Sequence, residues 1–143
     1  MKIDFHTHIY PDHVARQTVF TVQQRAGIDA YSDGTLEGLK RSMTAAGIDL
    51  SVVAAVATKP EQVPSIQRWL TSIRQPGIEA MAVMHPADPL SSEQMRALKG
   101  EGFRGFKFHP DYQGFFVDDP RMYPLYEAIA AEGMFVLFHA GMD

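Results

Sequence analysis

The run Leu50-Ser51-Val52-Val53-Ala54-Ala55-Val56-Ala57 is small and apolar almost throughout. A strand with one wet face alternates apolar and polar residues; a strand covered on both faces does not, and such strands belong to parallel sheets. Working outward, Lys2 to His8 reads as an earlier strand, followed by a loop at Tyr10-Pro11-Asp12 and a helical stretch to about Gly27. A second helix is expected from Thr35 to Ala46, with Leu36, Leu39, Met43 and Ala46 on one face and Gly47 as its stop. After the apolar run, Pro60 opens a helix whose Val63, Ile66, Leu70 and Ile73 are spaced 3, 4 and 3 residues apart, ending at Pro76-Gly77. Ile78 to Met84 reads as a third strand. Ser91 and Gln94 form a capping-box pattern ahead of Met95 and Leu98. Phe103 to His109 is a fourth strand; Asp119-Pro120 starts a helix that turns Met122, Leu125, Tyr126 and Ile129 inward; Met134 to His139 is a fifth strand.

Strands alternating with helices imply parallel βαβ units, hence an α/β fold. A length of 143 residues suits one domain, and no linker, repeat or charge block divides it. Five strands fit either an open doubly wound sheet or part of a (β/α)8 barrel, and a whole barrel takes about 250 residues. Ala140-Gly141-Met142-Asp143 adds no helix to cover the last strand, as though a βα unit were cut in its loop. The expectation is therefore an incomplete (β/α)8 barrel: strands one to five with their helices, residues 1–143 forming the N-terminal part of one barrel domain.

Composition narrows the chemistry. At 45% hydrophobic and 21% charged, the chain is of ordinary globular type. A net charge of -4 without a basic run argues against nucleic acid or anionic membrane as a partner. There is no cysteine, which excludes disulfides, thiolate metal sites and a cysteine nucleophile. No stretch approaches the roughly 20 apolar residues needed to span a bilayer, and with Met1-Lys2-Ile3-Asp4 entering a strand pattern at once, no signal peptide is expected. A cytoplasmic setting is expected.

In a strand, residues two apart point the same way, so Asp4, His6 and His8 share one face while Ile3 and Phe5 share the other. With Ile3 and Phe5 packed on helices, both imidazoles face the barrel near the C-terminal strand end, where barrel sites are built. Metal ligation competes here with simple hydrogen bonding at a strand end. His139 closes the apolar run Phe135-Val136-Leu137-Phe138 and needs a partner, metal or backbone carbonyl, because an unpaired buried polar group is costly. In Gly105-Phe106-Lys107-Phe108-His109-Pro110, alternation sends the phenylalanines to the helix layer and Lys107 inward. An inward lysine is paired, carboxylated as a metal ligand, or used on an anionic substrate. His109 and His85, each followed by proline, either bind substrate or cap loops; His13 reads as a surface residue.

Asp4-Phe5-His6-Thr7-His8, Gly105-Phe106-Lys107-Phe108-His109-Pro110 with the following Phe116-Val117-Asp118-Asp119-Pro120, and Val136-Leu137-Phe138-His139-Ala140-Gly141 resemble, in order and spacing, the amidohydrolase superfamily. More narrowly they resemble its amidohydrolase-2 branch of metal-dependent hydrolases and nonoxidative decarboxylases, over essentially the whole chain. The resemblance implies a distorted (β/α)8 barrel holding a divalent ion, zinc first and manganese second. His6, His8 and His139 match the metal ligands. Lys107 matches a position that some relatives carboxylate, with His109 as a second candidate for substrate binding or ligation. The family's strand-six His and strand-eight Asp have no counterpart in these residues, so no catalytic residue is assigned and the chain alone is expected to be inert or nearly so.

The expected activity is metal-dependent hydrolysis of a C–N or C–O bond in a small molecule. The alternative is decarboxylation of an unsaturated or aromatic acid on the same site. A deoxyribonuclease-like phosphoesterase ranks lower, because that branch generally has Glu where this chain has Lys107. A noncatalytic βα module is the competing reading from another class. Strands one and five, unpaired where a barrel would close, are expected to favour homo-oligomers or edge association.

Overall fold

Strands and helices alternate in the computed structural model, which describes residues 1–140. Gly141, Met142 and Asp143, read above as part of a cut loop, lie outside the described residues. The order is β1 (Ile3–Thr7), α1 (Asp12–Ala26), α2 (Leu36–Ala46), β2 (Leu50–Val53), α3 (Val63–Ile73), β3 (Ile78–Ala80), β4 (Ala82–Val83), α4 (Ser92–Gly100), β5 (Gly105–Phe108), α5 (Pro110–Gln113), α6 (Tyr123–Ala131) and β6 (Phe135–Phe138). Single 3-10 turns at Pro60–Gln62 and Pro120–Met122 lead into α3 and α6, proline's fixed φ suiting a first helical turn.

Local chemistry sets these boundaries. The Thr35 hydroxyl accepts from the Gly38 N–H at 2.9 Å to start α2, and Gly47 ends it in the left-handed conformation. Ser91 and Gln94 make the reciprocal capping box that the sequence predicts for α4. Among the described residues, no helix is long and apolar enough to cross a membrane.

The strands form two three-stranded sheets, ordered β1-β2-β3 and β4-β5-β6. β1 runs parallel to β2, and β4, β5 and β6 are mutually parallel along their pairings. The expected third strand, Ile78 to Met84, is two strands: one piece pairs in each sheet, with a break at Met81. Residues 80–85 are all buried, so their apolar run is continuous although their pairing is not.

The chain divides into two compact units. The first comprises Met1–Ala54 and Ser72–Glu79; Ile9, Ala15, Val53 and Ile78 are buried in it. Ile3 and Phe5 depart from expectation: they are 45% and 48% exposed, so no described helix covers that face of β1, which among the described residues pairs only with β2. The second unit comprises Ala55–Thr71 and, among the described residues, 80–140, with Phe103, Phe106, Phe108, Met84, Met95 and Ile129 at 0–1% exposure. In it, α4 is clamped to the end of α6. The Arg96 guanidinium meets the Glu132 carboxylate at 2.9 Å, and Lys99 Nζ donates to the Glu132 carbonyl at 2.6 Å, a cation at a helix C-terminus.

Candidate metal centre

In the first unit, β1 carries His6, and His8 follows directly after its last residue. Its pairing with β2 slips between Asp4 and Thr7: Asp4 lies opposite Ser51, but Thr7 opposite Val53, so β1 holds one residue more than its partner. Such a bulge re-aims side chains. The Asp4 carboxylate accepts from the His6 N–H at 3.3 Å inside the bulge, and the Thr7 hydroxyl anchors the strand end by donating to the Val52 carbonyl at 3.0 Å. His6 and His8, on the same side, then converge: their Nε2 atoms are 3.1 Å apart and their ring centroids 4.9 Å.

That separation can be tested against a cation. Two Zn–N bonds of about 2.05 Å put the nitrogens about 3.3 Å apart at a tetrahedral angle and about 2.9 Å apart at a right angle. The observed 3.1 Å lies between. Two imidazoles aimed at one point fit a divalent ion as two of its ligands. The same spacing also allows one Nε2–H to donate to the other ring.

The second unit gathers Lys107, His109 and His139. β5 and β6 pair in register from Gly105 opposite Phe135 to Phe108 opposite Phe138. In-register neighbours of parallel strands share a face, so the register makes both rings at the strand ends stack. Phe108 stacks on Phe138 with centroids 6.0 Å apart. One residue on, His109 stacks on His139 at 4.0 Å with planes 7° apart. Tyr112, on α5, covers the other face of His109 at 3.9 Å and 3°. Gly105 is required at the start of this register, because a Cβ there would collide with the Phe135 carbonyl and ring.

His109 is 5% exposed and its Nδ1 accepts from the Tyr112 N–H at 3.4 Å, capping α5. The Gln113 amide lies beneath: Oε1 accepts from the His109 N–H, while Nε2 donates to the Ala57 and Met84 carbonyls, each at 2.9 Å. Sequence reading missed Gln113, which stands in no local pattern that marks it; Tyr112, with Phe115 and Phe116, reads from sequence as a loop aromatic that either lines a pocket or packs the loop, and its stack on His109 is not legible there. Of the other loop aromatics, Phe115 is buried edge-on against Phe108, and Phe116 is 79% exposed. His85 caps a turn, its Nδ1 accepting from the Ala87 N–H at 3.1 Å; His13 is exposed on α1.

Lys107 is fully buried, and loss of solvation pushes its ammonium below the usual lysine range. Between that lowered folded value and the ordinary 10.5 the unfolded chain binds more protons than the native one. Stability therefore rises with pH across this window. Lys107→Met is expected to flatten that alkaline rise in a series of urea midpoints; an unchanged slope would mean another group produces it.

Among the described residues, no group of three or more His, Cys, Asp or Glu side chains is drawn together as a candidate metal cluster. The structure instead brings His6 together with His8, and stacks His139 on His109 in a column that Tyr112 completes.

A sequence model described as Amidohydrolase matches residues 3–143. No curated protein sequence matches the chain. Among solved structures, the chain is similar to IDCase from Metarhizium anisopliae in apo form, with TM-score 0.69 and 17% identity over 100% of this chain and 52% of that one. It is also similar to 5-carboxyvanillate decarboxylase from Novosphingobium aromaticivorans, which holds manganese and 3-methoxy-4-hydroxy-5-nitrobenzoic acid, with TM-score 0.67 and 15% identity over 97% and 50%. A third is a probable 2-pyrone-4,6-dicarboxylic acid hydrolase from Acinetobacter baumannii with citric acid bound, with TM-score 0.56 and 16% identity over 97% and 49%. The chain spans about half the length of each. The likeness is one of fold, and it identifies the strand–helix order as an incomplete (β/α)8 barrel.

Proposed function

The chain belongs to the amidohydrolase family, and from that premise we propose that it is part of a metal-dependent hydrolase acting on a C–N or C–O bond of a small molecule. The observation that carries the proposal is the 3.1 Å convergence of His6 and His8. His6 and His8 are the proposed ligands from β1, and His139 the proposed ligand from the end of β6. When bound, a divalent ion supplies Lewis acidity that makes water a nucleophile near neutral pH. The chain's own contribution is orientation: the bulge and the Asp4 carboxylate set the His6 backbone, and Thr7 fixes the strand end. Lys107 is proposed to serve the substrate side or, carboxylated, the metal; His109, offered by the sequence for either role, is buried between two rings.

Nonoxidative decarboxylation is the second reading. It is favoured by the names of two similar structures, IDCase and 5-carboxyvanillate decarboxylase, and the latter's manganese makes that ion a candidate beside zinc. Both readings use the same imidazoles.

Metal titration of the purified chain tests the common core. Zinc or manganese is expected to bind, and His6→Ala, His8→Ala and His139→Ala each to weaken binding by at least the roughly 10–100-fold that an outer-shell loss costs. Because ligating imidazoles must be unprotonated, affinity is expected to fall on acidification. No bound metal, with all three variants as stable as the parent, would favour the noncatalytic module.

The proposal includes association through sheet edges. Among the described residues, β1 pairs only with β2 and β6 only with β5, and Ile3, Phe5 and Phe135 are 41–48% exposed. Unpaired apolar edges template pairing with another chain. Sedimentation is expected to show self-association that Phe5→Lys reduces; a strictly monomeric parent would remove this part of the proposal.

A further inference from the structure

We propose that His109 is a positioning residue, which with Tyr112 fixes the ring plane of His139. The inference rests on the reading of His139 as a metal ligand and goes beyond it by assigning the column's role.

Three observations carry it. First, His109 is closed to a ligand on both faces, with Tyr112 on one at 3.9 Å and His139 on the other at 4.0 Å. At 5% exposure it has no face left on which to stack a substrate. Second, its backbone is fixed independently of its ring: its N–H donates to Gln113 Oε1 at 2.9 Å, and Gln113 is itself tied to the Ala57 and Met84 carbonyls. Third, His139 is held in line with the column by the register of β5 and β6, its N–H donating to the Phe108 carbonyl at 3.0 Å. With backbone and one ring face both fixed, rotation of the His139 ring must break a stack whose planes lie within 7°. Loss of a partner that orients a ligating imidazole typically costs about 10–100-fold in metal affinity.

The test is cobalt(II) titration of the full chain, followed by visible absorption, which reports coordination directly. Tyr112→Phe keeps a ring at 3.9 Å and is expected to bind cobalt as the parent does, with the same spectrum. Tyr112→Ala opens one side of the column without touching Gln113. It is expected to bind about tenfold more weakly, the lower end of losses for outer-shell partners, and with an altered spectrum. His109→Phe is expected to retain more affinity than His109→Ala, since it keeps the stack. Should His139→Ala weaken binding while Tyr112→Ala and His109→Ala leave affinity and spectrum unchanged, the positioning role is wrong and the ligand assignment stands. Should His139→Ala itself bind cobalt like the parent, the ligand assignment is wrong and the positioning role falls with it.

Discussion

Phe106→Ala is expected to destabilise the chain by about 3–5 kcal/mol, the range for emptying a buried phenylalanine site. Phe106 is 0% exposed in β5, the central strand of its sheet. Its in-register neighbours are Ala82 on β4 and Val136 on β6. Both are small, and neither has atoms to swing into the space the ring vacates. Relaxation around the cavity should be limited, which places the cost toward the upper part of the range. At a slope of about 2 kcal/mol per molar urea, the midpoint should fall by about 2 M. Phe116→Ala provides the contrast: its ring is 79% exposed, and the change should lie within about 0.5 kcal/mol. Equal midpoints for the two variants would show that Phe106 is not in the core.

Features governed by short-range chemistry were legible in the sequence. The capping box at Ser91 and Gln94 and the stop at Gly47 depend on residues within one or two turns. The convergence of His6 and His8 follows from the two-residue period of a strand, and the structure adds the bulge that tightens it. Alternation in β5 identified Lys107 as buried, although the whole strand is buried and alternation alone did not say so. What was not legible depends on register between distant segments. The pairing of His109 with His139 is decided by β5 lying level with β6, and nothing near either histidine encodes that. The break at Met81 escaped for a related reason: hydropathy reports burial, not which neighbour a strand bonds to. Ile3 and Phe5 were expected under helices because apolar residues on one strand face ordinarily are covered; their exposure means that no described helix lies over that face of β1.

Gln113 is the plainest case of a long-range residue, and Gln113→Leu is expected to cost about 3 kcal/mol or more. The side chain is 8% exposed and bonds to groups 4, 29 and 56 residues away: the His109 N–H, the Met84 carbonyl and the Ala57 carbonyl. Leucine has a similar volume, so packing is roughly conserved and the loss isolates the hydrogen bonds. Each buried backbone group left without its partner costs about 1–3 kcal/mol, and three are affected. Gln113→Glu separates the donors from the acceptor. A carboxylate still accepts from His109 but gives nothing to the two carbonyls, and it adds the cost of burying a charge, so it should be no better than leucine. A local readout distinguishes this from general loosening: amide exchange at His109 should quicken far more than at Phe103, which is buried in the same unit but does not touch Gln113 in any of these bonds. Because the strut fixes the backbone beneath the Tyr112–His109–His139 column, Gln113→Leu should also weaken metal binding, by less than removal of His139 itself. If the leucine variant loses under about 1 kcal/mol and His109 remains protected, water has replaced the amide at all three groups, and the column is held by its stacking alone.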